Sequence, residues 1–528
     1  MSETTSSGPS PATAGDGAGE ILDTIVDDPF PESSPTGFGK HGRLPATAGP
    51  DESARGGPWW APGVVAPSRE DPVARAASEV AGGPAGSRLA GATGIWRAVS
   101  VLVLFATAMA GLALVEKQHC RVEGWGAPDA YWHACYSDLP ALYSAAALGA
   151  DNRPALREVA SAAHGQPPLV GAVMWFLSAG IDGGAESAPL TFFDLSVFFL
   201  SLCLLLAVAL IAMTSGRRPW DAAHLALAPI LITVAFLNYE LLAVALLAGA
   251  LLAWGRSRPL VAGVLLGLAA ACRPVYLVVL VAVLALAARS GRWRAPMLLS
   301  AGSLAVWMGT RYLLLPGLTA GLVPAWETWR MSGTGYGSMW MIPSLVIRSR
   351  PAGAGWWFTG TGPSPTTATT LALLVLGAVV LLVVLLAMTA PRRPRLAHLG
   401  LILVVGVLLS SKSLPPQASL LVLPFLALSG FRWRVHLVWA LAEVSYFVGV
   451  WMHIAAASDA AKGLPAWAYL VLLVGRLVAL GWLAVQAVRA IREPELDPVR
   501  NPVEGVAGDD PLGGDLDRAP DALVVRFA

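Results

Sequence analysis

One carboxylate, Asp138, stands in the stretch Cys135-Tyr136-Ser137-Asp138-Leu139-Pro140-Ala141-Leu142-Tyr143, among hydroxyl and aromatic side chains. Pressed against a membrane surface, such a group is partly desolvated and holds its proton above the ordinary value of about 3.9. That suits a general base accepting a proton from a hydroxyl. A carboxylate just ahead of Leu-Pro also suits the cap of the helix that follows. The sequence leaves both roles open. Two cations, Arg273 and Lys412, lie between apolar runs. Ionisable groups at membrane depth cost at least about 2.5 kcal/mol and usually face a cavity or a partner. Two of them on one face suit an anionic ligand such as a lipid phosphate. Snorkelling, capping of helix C-termini, or pairing with Glu240 would account for them equally well.

The elements that must position these groups follow from composition. Of 528 residues 55% are hydrophobic and only 13% charged, against about 25% charged in soluble domains. Repeated apolar runs of about 20 residues then mean an all-α polytopic membrane protein. Net charge is +1, which gives no reason to expect nucleic acid. Residues 1–93 are rich in Gly, Pro, Ala and Ser and are expected to be a disordered cytoplasmic tail. This polar opening is not expected to be a secretory signal. Residues 94–492 form the membrane domain, and 493–528 a second disordered cytoplasmic tail. Spans are expected at Ile95–Val115, Thr191–Met213, Ala222–Leu237, Leu241–Trp254, Leu260–Ala271, Val275–Ala288, Pro296–Leu315, Thr367–Met388, His398–Ser410, Ala418–Leu428, Val435–His453 and Trp467–Val488. These make about twelve.

Arginine clusters at 217–218, 256–258, 289–294, 392–395 and 432–434 then all fall inside, as the positive-inside rule asks. Asp138, the Asn238-Tyr239-Glu240 turn, Arg273 and Lys412 all fall outside. The first external loop, 116–189, is expected to hold in-plane helices Asp138–Leu148 and Pro154–Ala163. Its apolar piece Pro167–Ile181 is read as re-entrant, with a full span as the rival reading. The long external loop, 316–366, carries Trp326-Glu327-Thr328-Trp329-Arg330 and Gly335-Tyr336-Gly337-Ser338-Met339-Trp340. Glycines there allow close backbone approach, and rings stack on sugars or lie among headgroups. Cys120 and Cys135 share the first loop and are candidates for a disulfide. His119, His133 and His164 match no metal-ligand spacing and are expected to be surface histidines. No metal or cofactor is expected.

Five stretches, in this order, resemble glycosyltransferase family 87 of the GT-C superfamily. They are Cys135 to Pro140 with Leu142-Tyr143, Asn238 to Val244, Gly337 to Trp340, Lys412 with Pro416-Gln417, and Arg432-Trp433 before Trp439 and Glu443. The resemblance runs from about Gly94 to Arg492. That family includes polyprenyl-phosphate-mannose-dependent mannosyltransferases of actinobacterial envelopes. The resemblance implies a GT-C-like bundle and an inverting transfer of a hexose, mannose by preference, from a polyprenyl-phosphate donor. The acceptor would be an envelope glycolipid or glycan at the extracytoplasmic face of the plasma membrane. It implies Asp138 as catalytic base and Arg273 and Lys412 as donor-phosphate ligands. Tyr136, Tyr143, Asn238, Glu240, Ser338, Trp340 and Gln417 would bind substrate. The chain departs from the family pattern at Gly165-Gln166-Pro167-Pro168, where an acidic-aromatic-Pro element is common, and at Ala418, where an aromatic residue is. Two other functions fit the helices: a flippase or transporter of lipid-linked intermediates, which would call for inverted repeats, and a GT-C scaffold without catalysis.

Overall fold

A computed structural model of the chain describes residues 71–80, 95–149, 154–159, 166–314, 326–349, 362–459, 461, 463–500, 510–517 and 519–525. Among them the chain is all helical, with no strand. The first half comprises α1 Pro72–Val80, α2 Ile95–Glu116, α3 Gln118–Glu123, α4 Asp129–Trp132, α5 Asp138–Ala145, α6 Leu156–Val159, α7 Pro168–Leu177, α8 Ala188–Thr214, α9 Ala223–Ala226 and α10 Ile230–Val234. The second half comprises α11 Glu240–Gly255, α12 Pro259–Cys272, α13 Val279–Ser290, α14 Arg294–Leu314, α15 Ile342–Arg348, α16 Pro365–Thr389, α17 Leu396–Ser410, α18 Leu423–Leu428, α19 Trp433–Ser458 and α20 Ala466–Arg492.

Five of these helices, α2, α8, α16, α19 and α20, are long and apolar enough to cross a membrane. The expectation of about twelve spans is not met by length. Helices α11 and α12 have 16 and 14 residues, about 24 and 21 Å of rise, short of the roughly 30 Å hydrocarbon layer. Short helices are tolerated at this depth where other protein covers them, and α11 is buried along most of its length between α8 and α12.

Prolines set where several helices stop, and the stops shape the site. The run from 222 to 237, expected as one helix, is broken into a 3-10 turn at Pro219–Ala222, then α9, then α10. Pro229 sits at the break; it lacks an N–H and its ring clashes with the preceding turn. The carbonyls left open where α10 ends at Val234 are used. Phe236 O accepts from Ser137 Oγ at 2.7 Å, Leu237 O from Asp138 N at 3.0 Å and Thr233 O from Lys117 Nζ at 3.4 Å. A broken helix thus clamps the segment that carries Asp138. Pro274 acts likewise on its neighbour: a residue before proline is pushed out of the helical region. Arg273 leaves α12 extended, at φ −145° and ψ 101°.

Helices α11, α12, α13 and α17 run between two ionic ends. Glu240, Arg273 and Ser410 mark one end; Trp254, Arg289 and Arg395 mark the other. At the second end both tail expectations need correction. The C-terminal segment is docked, because its acids meet arginines of the bundle. Asp521 pairs with Arg289 and Arg393, each at 2.8 Å. Asp510 pairs with Arg395 at 3.3 Å and Arg500 at 3.5 Å, and Asp497 with Arg395 at 3.2 Å. Trp254 Nε1 donates to Leu512 O at 3.1 Å, and Arg393 donates to Leu516 O and Ala519 O. In the N-terminal tail, α1 is ordered by Asp71. One of its oxygens caps α1 by accepting from Val73 N at 2.9 Å, and the other accepts from Trp433 N of α19 at 2.8 Å. Residues 1–70 and 81–94 lie outside the described residues, as do 160–163 of the expected helix Pro154–Ala163 and residues 316–325 and 350–361 of the long loop.

Candidate active site

Asp138 is the first residue of α5, and Ser137 is its N-cap, accepting from Leu139 N at 3.2 Å. The helix is therefore capped without the Asp138 side chain, and the capping alternative falls away. The carboxylate instead gathers neutral donors. Asn238 Nδ2 donates to its Oδ2 at 3.1 Å and Gln417 Nε2 at 3.4 Å, and the Tyr136 hydroxyl also donates to it. Burial pushes the Asp138 carboxyl above its ordinary value, and the charge of Glu240 adds to this. The amide of Asn238, the Tyr136 hydroxyl and the charge of Arg273 pull the other way without reversing it. Burial, then Asp138 itself, push the Tyr136 phenol up, so it stays a donor.

The nearest guanidinium is already engaged. Arg273 holds Glu240 Oε1 through NH2 at 2.6 Å and Nε at 3.1 Å, and NH2 reaches Asn238 Oδ1 at 3.4 Å. The turn Asn238-Tyr239-Glu240 thus ties Arg273 and Asp138 into one cluster with no direct pair between them. Gln417 arrives on the turn after Pro415-Pro416, which a buried network holds. Arg476 pairs with Glu443 at 2.8 Å and donates to Leu414 O at 2.6 Å and Pro415 O at 3.1 Å. Ser419 Oγ and Trp439 Nε1 complete the bonds to Glu443, at 2.5 and 3.2 Å.

Other expected site residues lie elsewhere. Lys412 Nζ donates to Arg330 O at 3.1 Å, Ser332 O at 2.8 Å and Thr369 Oγ1 at 3.0 Å, below the Trp329 ring. An ammonium has three protons, and all three are committed to holding the long loop. Lys412, expected as an anion ligand, has its ammonium turned to these three acceptors. Ser338 Oγ donates to Ser411 O at 2.9 Å and Trp340 Nε1 to Ser410 O at 3.0 Å, so both dock the same loop on the end of α17. Gly337 makes that approach possible: at φ +81°, a Cβ there would lie 1.9 Å from Leu414 O. Tyr143 is buried against Phe192, ring centroids 5.1 Å apart, and belongs to the core. Cys120 and Cys135 are joined in a disulfide, which closes the segment leading to Asp138.

Three residues were missed. Tyr131 and Trp451 stack at 5.5 Å and both pack on Tyr136, at 5.1 and 4.9 Å, forming an aromatic wall beside Asp138. Lys117 is buried under that wall, donating to Tyr136 O at 3.1 Å and paired with Glu116 at 2.8 Å. Burial pushes its ammonium down, while Glu116 and Asp138 act to keep it charged. Lys117, one of only four lysines, had a signal in its position at the end of the first apolar run. Tyr131 and Trp451 had none, because 320 residues separate them and only the fold stacks them.

Residues 166–411 match the model of glycosyltransferase family 87. Over that stretch, a little under half of its length, the chain is similar to glycosyltransferase family 87. The matched stretch holds Asn238, Glu240, Arg273 and Trp340 and excludes Asp138 and Gln417, which the fold brings onto it. No curated protein and no solved structure matches this chain. Family 87 indicates a membrane glycosyltransferase, with a sugar donor and an acceptor. The apolar helices of this chain are those of a membrane protein.

Proposed function

We propose that this chain transfers a hexose, mannose by preference, from a polyprenyl-phosphate donor to a hydroxyl of an envelope glycolipid or glycan. The reaction inverts the anomeric centre and takes place on the extracytoplasmic side, with both termini cytoplasmic. One observation carries the reading. Asp138 is held by three neutral donors while the nearby guanidinium of Arg273 is taken up by Glu240. A carboxylate without a dedicated cation keeps enough basicity to take the acceptor proton as the hydroxyl attacks. The polyprenyl phosphate departs already charged. Arg273 is the cation of this cluster that can meet it, with Glu240 holding the guanidinium in place. Glu240 Oε2 is buried without a hydrogen-bond partner among the described residues and can accept from a sugar hydroxyl. The wall of Tyr131, Tyr136 and Trp451 offers ring faces on which a sugar can lie.

The test is transfer by the purified full chain in detergent, with a panel of labelled polyprenyl-phosphate sugars and the anomeric configuration of the product read by NMR. Inverted product from a mannosyl donor is expected. Arg273→Gln should weaken donor binding about ten- to a hundredfold, the worth of one charge-assisted contact. No transfer from any lipid-phosphate sugar, or a product of retained configuration, would remove the reading. Cysteine labelling in intact cells tests the sidedness: labelling from outside of a cysteine at Arg256 or Arg393 would reverse it.

A further inference from the structure

His119, His133 and His164 were expected to be surface histidines; His164 lies outside the described residues, and the fold gathers the other two with Asp129. One potential ligand atom from each lies within 4.8 Å of the others. His119 Nε2 is 2.7 Å from Asp129 Oδ2, and His133 Nδ1 is 3.1 Å from Asp129 Oδ1. The two imidazoles lie with centroids 3.7 Å apart, both turned to the one carboxylate. We propose that these three side chains bind a divalent transition-metal ion, zinc by chemistry, which braces the first loop.

The donor set is two imidazoles and a carboxylate. That set suits a borderline ion such as zinc over magnesium or calcium, which prefer oxygen alone. At bond lengths of about 2.0–2.2 Å, ligand atoms on a tetrahedral zinc stand roughly 3.3 Å apart. The 2.7 and 3.1 Å separations run to different oxygens of Asp129, and one donor atom from each residue lies within 4.8 Å of the others, so side-chain rotations bring the three onto one ion. Three protein ligands leave a fourth position for water. The frame is covalently closed beforehand: Cys120 follows His119 directly, Cys135 lies two residues after His133, and the two sulfurs are bonded. The ion therefore orders side chains rather than a free chain. All three ligands are partly exposed, so an ion can enter.

The location gives the ion a consequence. Asp129 opens α4, which carries Tyr131, and His133 caps its end. Tyr131 and Tyr136 form the aromatic wall with Trp451. A bound ion would stiffen that wall without touching Asp138, as a structural brace and not as a Lewis acid at the reacting atoms.

The experiment uses the untagged full chain in detergent, purified without reductant and stripped with chelator. Zinc chloride is titrated in competition with a chromophoric chelator. One equivalent bound at micromolar or tighter affinity is expected, with a rise in melting temperature. Asp129→Asn should weaken binding at least tenfold, and His119→Gln combined with His133→Gln should abolish it. Peptide mapping confirms that the 120–135 bridge is intact in each variant. Should a variant fold poorly, the wild-type chain decides alone, because zinc must then protect His119 and His133 from imidazole-directed acylation. Failure of the wild type to bind one equivalent, or undiminished binding by folded variants, overturns the site. Binding of cupric ion without zinc overturns the choice of metal.

Discussion

Asp138 and Asp510 are both largely buried carboxylates at helix-bundle ends with arginines close by, and their chemistry is opposite. Around Asp138 the direct donors are two amides and a phenol. Around Asp510 they are Arg395 and Arg500, with the backbone N–H of Leu512. Burial pushes both acids up. At Asp510 the two guanidiniums outweigh burial and hold the carboxyl below its ordinary value. At Asp138 the guanidinium of Arg273 is shared with Glu240, and burial wins. Asp521 repeats the second pattern: hydrogen bonds from Arg289 and Arg393 overcome burial and hold it down. The fold thus makes clamps of the tail carboxylates and leaves Asp138 with a raised proton affinity, by choosing which acids receive the arginines.

The comparison can be broken most forcefully by exchanging readouts. Asp138→Asn should lower turnover by about a hundredfold or more while thermal stability in detergent stays at the wild-type level. An Asn variant that turns over normally would remove the base and move the search to Glu240. The converse is Asp510→Asn, with normal turnover and a loss of about 1.5–3 kcal/mol in stability, the worth of hydrogen bonds to charged groups. The wild-type contribution has a pH sign. Because the native carboxyl is depressed, its stabilisation is present above the ordinary carboxylate range and is lost as pH falls through the depressed value. Equal stability of wild type and Asp510→Asn at neutral pH would mean that the tail is not clamped.

A smaller effect separates the cap from the base. Ser137→Ala should cost about 1 kcal/mol of stability, a loss that Asp138→Asn does not share. The smallest expected effect sharpens the electrostatics. The Asn238 amide holds the Asp138 proton affinity down, so Asn238→Ala should move the acid limb of the rate profile up. The negative charge of Glu240 holds it up, so Glu240→Gln should move the limb down. Shifts of the same sign in both variants would show that Asp138 does not titrate in that limb.

The start of α5 at Asp138 was legible from Ser-Asp-Leu-Pro. So were α8, α11, α12, α14, α16 and α17, each within a few residues of its apolar run, because hydrophobic periodicity and Pro or Arg at the ends are local signals. The Asp138, Asn238, Glu240 and Arg273 grouping was legible as residues sharing one side. The break at Pro229 was not, because the run around it is as apolar as a continuous helix. Nor was the docked C-terminus, since its polar composition reads as a solvated tail until Arg289, Arg393 and Arg395 stand together.

What the sequence by itself determined is the membrane class, the family resemblance and the residue types with catalytic potential. All of these are carried by composition and short motifs. Tertiary structure alone decided which cation stands beside which acid. Lys412 was turned to three acceptors that lie within reach of its three protons. Arg273 was brought to Glu240 by a proline that ends a helix. Tyr131 and Trp451 became one wall, and His119, Asp129 and His133 one cluster. The physical reason is the same in each case. A side chain's charge and basicity are set by neighbours within a few ångströms, and across this chain those neighbours come from segments far apart in sequence.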